Sequence, residues 1–189
     1  EALQTAQPLC SLGLAFELLN KLDEAEVAWT KVVKIGEAKF PSGDIHAAYG
    51  MRGLGRVYAA QKKFDQAGFI FSEAKAIVDN NEAFDPAEAV RLRLDMVTFL
   101  IASGDKPAAQ KLLQESVERS RKFRDRAKRI HGDALYAQAL GKMLDAVESG
   151  DAMGDASAIK SELSGILQKL AASQALNAEE KSRLARIAG

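Results

Sequence analysis

The sequence predicts an all-α fold of stacked antiparallel helical hairpins, and three observations carry that prediction. Ala, Leu, Lys, Glu, Gln and Arg dominate the composition, and all are good helix formers. No long β-branched run and no two-residue Asn-Gly or Asp-Gly turn joins alternating segments. The sequence also matches itself, without gaps, at a spacing of 42 residues over three copies: Leu12 aligns with Leu54 and Met96, Phe16 with Tyr58 and Leu100.

Start and stop signals place the elements in order. The cluster Phe40-Pro41-Ser42-Gly43-Asp44 ends the first hairpin, and Asp44 is placed to cap a helix running to about Gln61. Asn80-Asn81 closes the next helix, after which Asp85-Pro86 supplies an N-cap followed by proline in the first helical position. Ser103-Gly104-Asp105 and Ser149-Gly150-Asp151 are two further breaks. Ser173 to Asn177 makes the last, and Asn177 with Glu180 has the capping-box spacing for a terminal helix through Ile187. The expectation is eight or nine helices of roughly 12 to 20 residues. With no Pro/Gly/Ser linker, residues 1–189 read as one domain. Its repeats run about 6–40, 44–80 and 86–123, followed by a divergent fourth at 127–174 and a capping helix at 177–187.

Within each copy a large residue follows another at four, the helix breaks, and a small residue precedes a large one by four. Ala25, Ala67 and Ala109 hold the small position; Trp29, Phe71 and Leu113 hold the large one. An alanine at a fixed place marks a helix crossing too tight for a longer side chain, and the residue four later lies on the same face. One hairpin cannot cover its own apolar stripe, so copies stack. Beyond the third copy the spacing slips. Leu140-Gly141 with Leu144 opens a fourth hairpin, and Ile159, Leu163, Ile166, Leu167 and Leu170 form its second helix.

These residues resemble the tetratricopeptide repeat (TPR) family. Leu12-Gly13, Phe16, Ala25 and Trp29 follow its pattern, and so do Leu54-Gly55, Tyr58, Ala67, Phe71 and Ala74; the third copy has Val97 in place of the glycine. The resemblance spans roughly residues 7–117, with a longer period than the family's usual 34. It implies a right-handed superhelix, a TPR-like α-solenoid, whose first helices line a concave groove. Carried over, the groove positions are Gln7, Cys10, Leu14 and Glu17, then Tyr49, Arg52, Arg56 and Ala59, then Arg91, Leu94, Thr98 and Ile101. The family's chaperone-tail clamp maps to Cys10, Leu14, Gly53, Arg91 and Asp95, and only Arg91 fits it.

Composition narrows the function. Of 189 residues 47% are apolar and 28% charged, with 26 cationic and 26 anionic side chains. That balance excludes a generally basic nucleic-acid binder and an acidic disordered tail. A single cysteine, Cys10, excludes an internal disulfide and every multi-thiolate metal site. No apolar stretch reaches the roughly 18 to 20 residues of a membrane span. A chain opening at Glu1 reads as a cut-out or processed piece, which leaves its compartment open.

Catalysis finds no constellation to rest on. His46 reads as an exposed residue near a helix start, His131 as a local partner of Asp133, and Cys10 as a half-buried inert thiol. No phosphate loop, nucleophile elbow or cofactor motif is present. Residues 119–129 carry seven basic side chains against Asp125. They read as a solvated helix end or, more sharply, as an anion patch, with too few aromatics for base stacking. The resulting expectation is a non-catalytic scaffold binding a protein or peptide segment through Tyr49, Arg52, Arg56, Arg91, Leu94 and Thr98. The arginines would favour an acidic or phosphorylated segment; nucleic acid is disfavoured and no cofactor is implied. The alternative is a regulatory or sensor domain excised from a larger protein.

Overall fold

The computed structural model describes residues 2–39, 45–81, 85–127, 130–172 and Ser182. Among them are eight helices and no strand: α1 (Ala2–Leu18), α2 (Leu22–Lys39), α3 (Ile45–Ala60), α4 (Phe64–Asp79), α5 (Pro86–Ser103), α6 (Lys106–Ala127), α7 (Ile130–Glu148) and α8 (Ala156–Ala172). The Asp44 cap and the terminal helix with its Asn177–Glu180 capping box lie outside the described residues. Where the sequence reads as one domain, the packing groups into two compact units, Glu1–Ser103 and Gly104–Gly189.

The turns explain the 42-residue spacing. Asn20, Lys62 and Gly104 each take a positive φ, at 55°, 61° and 89°, at successive steps of the repeat. After α1 the amide of Lys21 reaches back to Phe16 O at 2.9 Å and that of Asn20 to Glu17 O at 3.0 Å. Lys63 to Tyr58 O and Lys62 to Ala59 O repeat the pair after α3. These are the paired bonds of a Schellman stop, which needs a left-handed residue. Gly150, φ 75°, makes the same stop after α7, with bonds from Asp151 to Ala146 O and from Gly150 to Val147 O. It falls off the 42-residue step, so the sequence loses its match there although the hairpin persists.

Helix starts follow the capping rules where side chains allow. Asp85 Oδ1 accepts from the amide of Ala87 at 2.9 Å, and Asp105 Oδ1 from that of Ala108 at 3.1 Å. Asp155, rather than the Ser149-Gly150-Asp151 break, caps α8 by accepting from Ser157 and Ala158.

In the first unit each helix packs on the next, and α3 also touches α1 and α5. The expected crossings hold: Ala25, Ala67 and Ala109 are at most 1% exposed, as are Trp29, Phe71 and Leu113. The tightest approach is between α2 and α3. A Cβ on Gly36 would stand 2.5 Å from the backbone nitrogen of Ala47, and one on Gly50 2.9 Å from that of Val33. Trp29 also needs glycines against it: Cβ atoms on Gly13 of α1 and Gly53 of α3 would fall 2.6 Å and 2.3 Å from its ring.

In the second unit α7 packs on both α6 and α8. Leu140 and Leu144 of α7 are buried, as are Ile159, Leu163, Ile166, Leu167 and Leu170 of α8. The divergent fourth hairpin is therefore a helical pair with the expected apolar faces.

Candidate functional site

The predicted groove residues come together on the first helices of the hairpins in the first unit. Arg52 and Arg56 stand one turn apart on α3. Arg56 grips Glu17 of α1 through two bonds, Nε to Oε2 at 2.9 Å and Nη2 to Oε1 at 2.8 Å. Its Nη1 donates to Asp95 Oδ2 of α5 at 3.0 Å. Arg52 donates to the same Asp95 oxygen from Nε at 2.6 Å, and to Glu88 Oε2 from Nη1 at 2.6 Å. Glu88 also accepts from Arg91 Nη1, one turn along α5. The chain of contacts thus ties α1, α3 and α5 together and ends at Arg91.

The network reaches the core. Trp29 Nε1 donates to Glu17 Oε1 at 2.7 Å, which satisfies an indole with no exposed surface. Arg56 lies over the Trp29 ring at 5.8 Å and Arg52 over Tyr49 at 5.9 Å, while the Tyr49 and Trp29 rings are tilted at 6.0 Å. Burial works against the charge of Arg56, but hydrogen bonds and the fields of Glu17 and Asp95 outweigh it and raise its pKa above the usual arginine value. Bidentate, partly buried pairs of this kind are stronger than loose surface ones.

The groove residues differ in how they face solvent. The Arg52 and Arg56 side chains are 17% and 23% exposed, whereas Arg91 is 42% exposed. Thr98 is exposed and donates to Leu94 O at 3.1 Å. Leu94 itself is buried, as is Cys10 at the equivalent repeat position. Arg56, Ala59, Phe71, Asp95, Thr98 and Phe99 surround a cleft of about 290 Å³ between α3, α4 and α5. The arginines stand at the expected positions, but each already holds a carboxylate, which the repeat pattern alone does not specify. Glu88, Arg91 and Asp95 share one face of α5 at helical spacing, and that was the available signal.

The remaining candidates fall elsewhere. Burial pushes the Cys10 thiol up, which makes it a poor nucleophile. His46 is half-buried in the first turn of α3, and the His131 side chain lies outside the described residues. Part of the basic segment is built into the second unit. Arg121 Nε donates to the Tyr136 hydroxyl at 2.8 Å, and that hydroxyl donates to Glu162 Oε1 at 2.7 Å. Arg124 lies over the same ring at 4.5 Å. Arg119 is exposed, and the side chains of residues 125–129 lie outside the described set. Among the described residues no helix is long and apolar enough to cross a membrane.

The sequence matches no family profile and no curated protein. Solved structures do resemble it. They include a kinesin-light-chain-like protein of Podosopora anserina with nearly identical TPR-like repeats, and a single-substitution variant of that protein. Each aligns with a TM-score of 0.55 at 18% identity, over 96% of this chain and 84% of the other. The fold is therefore all-α and TPR-like, a stack of helical hairpins.

Proposed function

We infer that the chain is a non-catalytic scaffold holding a partner peptide or protein segment against α3 and α5. The observation that carries this reading is the cleft beside Arg56, Asp95 and Thr98, which joins an apolar floor at Phe71 and Phe99 to a charged rim. Apolar contact beside a few placed polar groups is what a peptide groove requires. Arg91 is the arm for a ligand carboxylate, because its guanidinium is the most exposed of the three and its partner Glu88 sits on its own helix.

The test is enrichment of a phage-displayed peptide library on the full chain, followed by binding of the enriched peptides to variants. Thr98→Trp fills the cleft and Arg91→Glu reverses the exposed charge, and neither breaks the ties between α1, α3 and α5. Both should weaken binding by about tenfold or more, whereas Arg119→Glu should leave it unchanged. Peptides that bind all three variants alike, or lose affinity only with Arg119→Glu, would overturn the reading.

A further inference from the structure

The cleft between α3, α4 and α5 is open because one contact of the repeat is missing there. Between the first two hairpins, Glu17 of α1 and Arg56 of α3 bond at 2.8 Å and 2.9 Å, and Arg56 lies over the Trp29 ring of α2. The pair roofs the space above the indole. One repeat later the same three places read Ala59 on α3, Thr98 on α5 and Phe71 on α4. Alanine has no polar atom to offer, so the bridge is lost above Phe71, and all three residues line the cleft of about 290 Å³. Asp95 takes the place of Gly53, whose missing side chain makes room for the Trp29 ring. The smaller ring of Phe71 accommodates that change, and the cleft gains a carboxylate in its wall.

The lining is graded from end to end. Arg56 and Asp95 form the polar end; Ala59 and Ala60 follow along α3, and Thr98, Phe99 and Ala102 along α5. From the level of Asp95 to that of Ala102 the helix rises about 10 Å. That span and volume admit one large side chain and not a whole helix, which is about 10 to 12 Å thick. At the polar end Asp95 Oδ2 accepts from both Arg52 and Arg56, while Oδ1 takes no bond from a described residue. The charges are already paired, so an entering carboxylate or phosphate meets Asp95 as a like charge at close range, and an entering ammonium meets Arg56. What this end can still take is a neutral donor.

We infer that the cleft is the pocket for one unmodified tyrosine of the partner segment, its ring between the alanines of α3 and α5 and its hydroxyl donating to Asp95 Oδ1. The inference rests on the peptide-binding reading and names the anchor residue which that reading leaves open. In tyrosine the donor lies on the long axis of the ring, at its tip, so a ring lying along the cleft carries it to the polar end. The N–H of tryptophan lies on the flank of its ring, and phenylalanine has no donor. The same pairing of phenol with carboxylate occurs inside the chain, where Tyr136 donates to Glu162 Oε1 at 2.7 Å. Phosphorylation of the partner's tyrosine removes the donor and sets a dianion against Asp95.

The probe is N-acetyl-tyrosinamide, titrated into the full chain with isotope-labelled alanine and threonine methyls and read by NMR. Saturable shifts are expected at Ala59, Ala60, Thr98 and Ala102. N-acetyl-phenylalaninamide should bind about tenfold more weakly, for want of one hydrogen bond to a charged acceptor, and N-acetyl-O-phosphotyrosinamide should leave the methyls unmoved. Ala59→Glu with Thr98→Arg rebuilds the roof that Glu17 and Arg56 make, and should abolish the shifts at Ala60 and Ala102 with helicity unchanged; Thr98→Trp, which fills the cleft, should do the same. The proposal fails if the phenylalanine probe binds as tightly as the tyrosine probe, if the phosphorylated probe binds more tightly, or if the variants keep the shifts. It fails too if the tyrosine probe moves none of these methyls, and the phage-enriched peptides then separate the two readings. Peptides that move the same methyls leave the groove standing and the tyrosine pocket refuted, whereas peptides that move none refute both.

Discussion

Replacing a helical glycine by alanine ordinarily stabilises, by about 0.8 to 1 kcal/mol, because alanine restricts the unfolded chain and suits the helix. Gly36 should reverse that sign. A Cβ there would lie 2.5 Å from the backbone nitrogen of Ala47 and 2.8 Å from both its Cα and its Cβ, whereas carbon contacts settle at about 3.5 to 4 Å. No rotamer relieves the clash, because backbone stands on both sides. α2 and α3 would have to part by about 1 Å, which also loosens Val32 and Val33 over Gly50. Overpacking costs about 1 to 3 kcal/mol, and this site belongs at the upper end. After the intrinsic gain is subtracted, Gly36→Ala should lose about 1 to 2 kcal/mol.

Gly165 of α8 supplies the opposite case, since a Cβ there meets nothing within 4 Å. Gly165→Ala should gain about 0.5 to 1 kcal/mol. Urea unfolding decides between them, with fluorescence of Trp29, the only tryptophan, reporting the first unit and circular dichroism reporting the helices as a whole. If Gly36→Ala raised the midpoint, or matched Gly165→Ala, the argument from close approach would be refuted.

Two further predictions concern local strain and charge. Lys62 pays for a left-handed backbone that glycine adopts freely, so Lys62→Gly should raise the urea midpoint by the equivalent of about 0.5 to 1 kcal/mol; a fall in the midpoint would refute the role given to that turn. Burial pushes the Asp79 carboxyl up, but hydrogen bonds and charge from Lys75 and Arg93 outweigh it and hold the pKa below the ordinary value. A depressed carboxylate stabilises the fold above its unfolded pKa, and that contribution is lost as pH falls through the folded value. Asp79→Asn should therefore cost about 2 to 3 kcal/mol at pH 7, less than a fully buried pair because Asp79 is partly solvated. The difference from the parent should shrink as acid takes the pH below about 4; a pH-independent difference would exclude the ion pair as its source.

What the sequence made legible was what it repeats. Ala25, Ala67 and Ala109 are buried in every copy because a helix crossing admits one residue class at one spacing, and three agreements at a single offset stand out from chance. Gly104 was legible as a turn through its neighbours Ser103 and Asp105, whereas Lys62 was not, because nothing in a lysine announces a left-handed backbone. The close approaches at Gly36, Gly50 and Gly53 are not legible in the sequence. Their meaning depends on which backbone or ring lies opposite, and that is a property of two helices rather than of one. Leu94 takes its groove position from the TPR resemblance, at the same place in the repeat as Arg52, but that place lies at the edge of the core. An arginine can extend from such a place to meet a carboxylate, while a cysteine or leucine turns inward.

The charged residues of the site occupy positions that the repeat leaves variable, and this separates two tasks on one surface. Glu17, Glu88 and Asp95 balance Arg52, Arg56 and Arg91, so the network is neutral as a group. A partner carboxylate approaching Arg91 must exchange with Glu88 rather than find an unmet cation. Such an exchange trades one ion pair for another, and its net electrostatic gain is small beside that of an unpaired guanidinium. Selection of a partner should then rest more on the apolar floor at Phe71 and Phe99 than on long-range attraction, with only a shallow dependence on salt. Arg52 and Arg56 stand on the other side of that division. Their bonds tie α3 to α1 and α5 and satisfy the acid that holds Trp29, so reversing their charge would loosen the fold before it told anything about binding. Arg91 and Thr98, at the solvent end of the same network, are where recognition can change without the scaffold changing with it.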